Sequence, residues 1–280
     1  MFALLHPVAQ VGDGFSVHPS TAIGIAGLAA LYEWRAKQGA VEAAWLRAPV
    51  NELPAVRRTL FYGGLLVLFL ALNGPIHDLS DEYLFSAHMV QHLLLQLVVA
   101  PMLLAGVPGW MLRPALRVRP VGALARFITR PRAAFLAFNV TMAVWHLPPL
   151  YNLALAHHPV HIGQHLTFLV ASVLMWWPLL GSLPELPRPS YPAQILYCFL
   201  MTIPMSIVAV YITYATRVLY PLYAIAPRVL GISPLEDQRY GGLIMWIPGG
   251  LFFYGVMTVV FFMWARRGGE DTAEAAQVAV

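Results

Sequence analysis

The chain has 280 residues, of which 59% are apolar or aromatic and 11% are charged, and its mean hydropathy is +0.66. A water-soluble domain carries about a quarter charged residues, so this composition excludes a soluble enzyme, a disordered chain and a nucleic-acid binder. The formal charge of +4 takes its meaning from where the charges lie, and Cys198, the sole cysteine, excludes an internal disulfide and an all-thiolate metal site.

A bilayer core of about 30 Å is crossed by roughly 20 largely apolar helical residues. The stretch Met1 to Gln10 has no Lys or Arg ahead of its short apolar run, so no cleaved signal peptide is expected. Seven stretches then follow as predicted spans: Pro19 to Trp34, Thr59 to Ile76, Tyr83 to Val107, Pro131 to Leu147, Val160 to Leu183, Pro192 to Ala215 and Tyr240 to Ala265. In the first, Ala22, Ala26 and Ala30 make a small-residue row suited to a close helix neighbour. Pro101, Pro178, Pro204 and Pro248 fall inside later spans, where each frees a backbone carbonyl and is expected to kink its helix. The expected fold is all-α: a polytopic membrane protein with one seven-helix domain over residues 1–265 and a polar tail over 266–280.

Basic residues orient such a bundle, because cytoplasmic loops carry an excess of Lys and Arg. Arg35, Lys37, Arg47, Arg57 and Arg58 lie in the first connection, and Arg113, Arg117, Arg119, Arg126, Arg130 and Arg132 in the third. Arg188 lies in the fifth, and Arg266 and Arg267 follow the last span. The alternate loops hold only Arg217, Arg228 and Arg239. This split predicts the N-terminus outside and the C-terminus in the cytoplasm. Tryptophans agree, with Trp34, Trp110, Trp176, Trp177 and Trp264 near the inner boundary and Trp145 and Trp246 near the outer one.

On this topology none of the ten histidines is cytoplasmic. His88 and His92 are four apart and share one face in the outer half of the third span, with Met89 beside them and Gln96 a turn further on. His161 and His165 repeat the spacing at the start of the fifth span, and His146 closes the fourth. Two imidazoles on one stripe within the hydrocarbon are costly without a function, whereas a single one often serves as hydrogen-bond glue between helices. His6, His18, His157 and His158 read as solvated loop residues, and His77 follows the second span. Imidazole suits copper, zinc, iron and nickel, and thioether sulfur favours reduced copper. The candidate metal ligands are therefore His88, His92, His146, His161 and His165, with Met89, Met201, Met205 and Met245 as further candidates. Asp237 could orient a ligand imidazole, although a solvated helix cap explains it as well. Asp78, Asp81 and Glu82 add acidic groups to the loop after the second span.

Four segments carry a resemblance: HMVQHLLLQLVVAPMLLAGVP from His88, VWHLPPLYNLAL from Val144, HIGQHLTFLVASVLMWWPLLG from His161 and SPLEDQRYGGLIMWIPGG from Ser233. In these the chain resembles the multi-span CtaG family of assembly factors for caa3-type cytochrome c oxidase. The resemblance implies a non-enzymatic, multi-pass protein of the bacterial inner membrane that helps to mature a haem-copper oxidase, with copper delivery as its task. The expected cargo is copper, in its reduced state. The expected partners are the oxidase subunits and the lipid bilayer, with a soluble extracytoplasmic copper chaperone as an open option for the supplier. Other readings stay open. A haem-binding redox protein would need its axial imidazoles on two helices, since an i, i+4 pair cannot flank one haem plane. A copper or proton transporter would need a polar path to the cytoplasm, and a metal-free scaffold would use the histidines for packing or for contact with the oxidase.

Overall fold

The computed structural model describes residues 15–46 and 53–278. His6, Arg47 and the stretch Met1 to Gln10 lie outside them. The described residues contain helices and no strand. In chain order the helices are α1 Pro19–Leu46, α2 Ala55–Ala71, α3 Gly74–Tyr83, α4 Phe85–Gly106, α5 Gly109–Arg117, α6 Arg119–Ile128, α7 Pro131–His146, α8 Pro148–Ala156, α9 His158–Leu180, α10 Tyr191–Thr213, α11 Pro221–Ile225 and α12 Pro234–Val278.

Four helices are long and apolar enough to cross a membrane: α4, α9, α10 and the Pro234–Gly268 part of α12. The pairs α2 with α3 and α7 with α8 qualify as bent units, which gives up to six candidate spans rather than the seven expected. The six match the second to seventh predicted stretches. The first predicted stretch is helical within α1, but Glu33 and Arg35 cut its apolar run, and it falls outside the set. Helix α12 also runs on through the segment expected as a polar tail.

Both bends have local causes. Between α2 and α3 the chain turns by 51°. There Gly74 takes φ +63°, and a Cβ on it would lie 2.4 Å from the Phe15 ring, so only glycine fits. The buried Asn73 closes the corner, donating to Phe69 O at 2.8 Å and accepting from the His18 amide at 2.7 Å. Between α7 and α8 the turn is 74°. Pro148 and Pro149 lack the amides that would continue α7, so the helix stops at His146.

A third irregularity lies inside α4. Residues Leu94–Val99 form a π turn, in which the Ala100 amide bonds to Leu95 O. Pro101 has no amide to give, so Gln96 O is left without a helical partner. The Trp176 indole fills the vacancy, donating to Gln96 O at 2.7 Å. Trp176 is accordingly buried, at 3% exposure.

The core is built from α4, α7, α9, α10 and α12, around Phe138, Phe168, Met175, Trp176, Met201 and Phe253. A second cluster joins α1 and α2 to α4 through Tyr32, Phe61, Leu65, Leu95 and Leu103. On α1 the packed face is Ile25, Ala29, Tyr32 and Ala36. Ala26 and Ala30 of the expected small-residue row are exposed. Close approach occurs instead at Gly106, where a Cβ would lie 2.6 Å from the Phe61 amide nitrogen.

The two ends of the bundle differ chemically. At one end arginines close helix termini: Arg57 donates to Ala105 O at 3.0 Å, Arg188 donates to Gly181 O and Leu179 O at 2.8 and 3.1 Å, and Arg113 pairs with Glu185 at 2.6 Å. The connection with six arginines folds there into α5 and α6, and Val121, Leu124 and Phe127 of α6 are exposed. Every described histidine lies at the opposite end.

Candidate metal centre

The histidine end closes over a buried group of imidazoles. Helix α4 starts where Leu84 turns extended, and Asp237 of α12 caps it. The Asp237 carboxylate accepts from the amides of Phe85 and Ser86 at 2.7 and 3.1 Å and from the Ser86 hydroxyl at 2.5 Å. Its place is thus the α4 N-terminus and not the flank of an imidazole, a geometry favoured because carboxylates satisfy the unpaired amides of a first turn.

One turn further on, His88 and His92 project from the same face of α4, both buried. Their Nε2 atoms are 2.8 Å apart. His165 of α9 lies against both, with ring centres 5.7 Å from His88 and 5.5 Å from His92. His161, one turn away on α9, is 4.4 Å from His165 and 5.6 Å from His88. His146, at the end of α7, is 5.9 Å from His92, and Phe168 seals the floor 4.5 Å from His92. The five histidines singled out from the sequence therefore converge, from three helices.

Hydrogen bonds fix the tautomers of three of them. His146 Nδ1 faces Met142 O at 2.7 Å, so it must donate, which leaves Nε2 as a bare lone pair. His161 Nδ1 lies 3.1 Å from the Asp81 carboxylate and donates to it, again freeing Nε2. Tyr223 of α11 donates its hydroxyl proton to Ser80 O at 2.6 Å. Its oxygen then accepts from His88 Nδ1 at 3.4 Å, and His88 Nε2 is left unprotonated toward His92. The Nε2 atoms of His146 and His161 and both ring nitrogens of His165 are buried without a hydrogen-bond partner among the described residues. An imidazole anchored through one nitrogen, with the other buried and unpaired, is arranged as a metal ligand is.

Asp81, Tyr223 and Tyr151 were not singled out from the sequence as part of the site. Asp81 stands in the π turn that ends α3, where it meets His161 at 3.1 Å and His77 Nε2 at 3.4 Å. Together with His161 and His165 it offers ligand atoms that all lie within 4.8 Å of one another. His77 takes the opposite tautomer: Gln91 Nε2 donates to its Nδ1 at 3.1 Å, and its Nε2 proton points to Asp81. Tyr151 of α8 backs His88 at a ring separation of 5.2 Å and touches Tyr223 through the hydroxyls at 3.3 Å. His18 and His158, read as solvated, extend the row instead, with His18 4.3 Å from His77 and 6.3 Å from His158. His157 is exposed.

The candidate methionines are all packed in the apolar core. Met201 Sδ accepts from Asn139 at 3.5 Å, Met205 packs on Gly249, and Met89 packs on Gly241. Met245 belongs to the same apolar core.

Residues 30–267 match the family described as Cytochrome c oxidase caa3 assembly factor (Caa3_CtaG). Uncharacterized proteins of Mycobacterium bovis and Mycobacterium tuberculosis are each 25% identical over 238 residues, and one of Mycobacterium leprae is 20% identical. Each alignment covers 79% of this chain and 36% of the relative, so the chain spans about a third of the length of the curated relatives it matches. No solved structure matches. With the family matched over most of its length, the chain belongs to the caa3-type cytochrome c oxidase assembly factors.

Proposed function

We propose that this protein carries a copper ion on His88, His92 and His165 and passes it to a haem-copper oxidase during assembly, from the outer half of the bacterial inner membrane. The observation that carries the reading is the convergence of buried imidazoles: His88 and His92 face each other through Nε2 at 2.8 Å, and His165, in ring contact with both, leaves both of its nitrogens without a hydrogen-bond partner among the described residues. Neutral imidazole is a copper ligand. His88 and His92 Nε2 already face one another at 2.8 Å, so a small parting of the two rings would bring both within about 2.0 Å of one ion. His165 is the imidazole in ring contact with both, and His146 and His161 flank the three.

Without the ion, His92 keeps its proton on Nε2 and donates it to His88 Nε2. When an ion takes that position, the His92 proton moves to Nδ1, which has no other partner, and both Nε2 lone pairs become ligands. Three neutral ligands leave the ion open to a further one, which is the condition for handing it on by ligand exchange. Family membership supplies the partner, an oxidase being assembled, and the apolar helices supply the membrane setting.

The test is copper and iron content of detergent-purified protein reconstituted with Cu+, for the wild type and for His88→Ala, His92→Ala. Near-stoichiometric copper that disappears in the double variant is the expected result. Copper retained in full by the variant overturns the ligand assignment. Iron with a Soret band would favour haem ligation, and neither metal would leave a scaffold.

A further inference from the structure

We propose that a cavity at the histidine end is the port through which copper exchanges with the buried imidazoles, and that Asp81 and His161 form the first position the ion meets. The inference rests on the ligand reading above. The cavity has a volume of about 320 Å³, and its lining includes Asp81, Glu82, His158 and His161, with Leu155 and Ile225 among its apolar residues.

Three observations converge on this role. His161 belongs to both compartments: it lines the cavity, and its ring stands 4.4 Å from His165 and 5.6 Å from His88. An ion that moves by ligand exchange needs its next ligand within reach before the last one leaves, and this row of rings provides it. Asp81 and Glu82 place two carboxylates where the route starts. Negative charge at a mouth with low-dielectric walls raises the capture rate of a cation. Finally, Asp81 is held by two imidazole N–H groups, from His77 and His161, which occupy only part of a carboxylate's acceptor capacity. It can therefore take an ion while keeping His161 in place. His165, whose ligand atoms lie within 4.8 Å of those of Asp81 and His161, joins this first position to the deeper imidazoles His88 and His92.

The test separates rate from capacity. Ile225 is 81% exposed on the cavity lining, and the native Cys198 is fully buried. An Ile225→Cys protein is purified folded and then labelled with a bulky maleimide, so that the block is applied after folding. Cu+ is supplied on a coloured competing chelator, and its transfer is followed by stopped-flow absorbance. The labelled protein should load about tenfold more slowly than the unlabelled one and reach the same final copper content. Asp81→Asn, which keeps an acceptor for His161, should slow loading by about tenfold through loss of the charge. Labelled protein or Asp81→Asn protein loading at the unmodified rate overturns the port. Absence of copper from unlabelled wild-type protein overturns the ligand reading and the port with it, whereas full copper at an unchanged rate overturns the port alone.

Discussion

Single side chains at the histidine end divide into those that would hold the ion and those that aim them. Tyr223 aims His88 through one long hydrogen bond. Tyr223→Phe removes that acceptor while keeping the ring, and copper affinity should fall about 10- to 100-fold, the usual effect of losing such a partner. A competition titration with a copper chelator reads this directly, and an unchanged affinity would show that His88 needs no fixed tautomer. Asp237 works on stability instead. Asp237→Ala strands two amides and a hydroxyl at the α4 N-terminus and should cost about 2 kcal/mol, seen as a lower thermal midpoint in detergent. The histidine ligand candidates were legible in the sequence because two imidazoles on one helix face, set in an apolar run, are too costly to bury unless they share a task. Asp81, Tyr151 and Tyr223 were not, because nothing in their spacing shows that α3, α8 and α11 fold back onto α4.

Helices show the same division between what composition reveals and what it hides. The predicted stretches from Tyr83, Val160 and Pro192 end within about three residues of α4, α9 and α10, since long apolar runs bounded by polar residues fix their own limits. The bends at Asn73 and Leu147 were not foreseen, although Gly74 with Pro75, and Pro148 with Pro149, are their visible causes. Of the internal prolines expected to kink their spans, Pro101 shows how such a break is absorbed: the π turn before it leaves Gln96 O open, and the Trp176 indole closes it. Trp176→Phe keeps the packing and removes the donor. A buried carbonyl left unpaired should cost about 1–3 kcal/mol, so thermal unfolding should shift down measurably, and an unshifted transition would mean that the carbonyl finds another partner.

At the scale of the molecule, the separation of an arginine end from a histidine end is the property on which the proposed function depends. Cytoplasmic loops favour Arg, so a membrane-impermeant maleimide applied to intact cells should label Ile225→Cys and leave Glu185→Cys unlabelled; the reverse pattern would put the imidazoles on the wrong side for delivery from outside. Copper affinity should also depend on pH in one direction. Imidazole must be neutral to bind, so binding holds at and above neutral pH and weakens as the pH falls far enough to protonate the ligands, an outcome that equilibrium dialysis at stepped pH would check. The sealed position of Cys198 has a consequence of another kind. Thiols are oxidised in proportion to their exposure, and this one is wholly enclosed. Redox-active metal and dioxygen can thus meet at the protein surface without forming sulfenic acid or linking two copies through a disulfide.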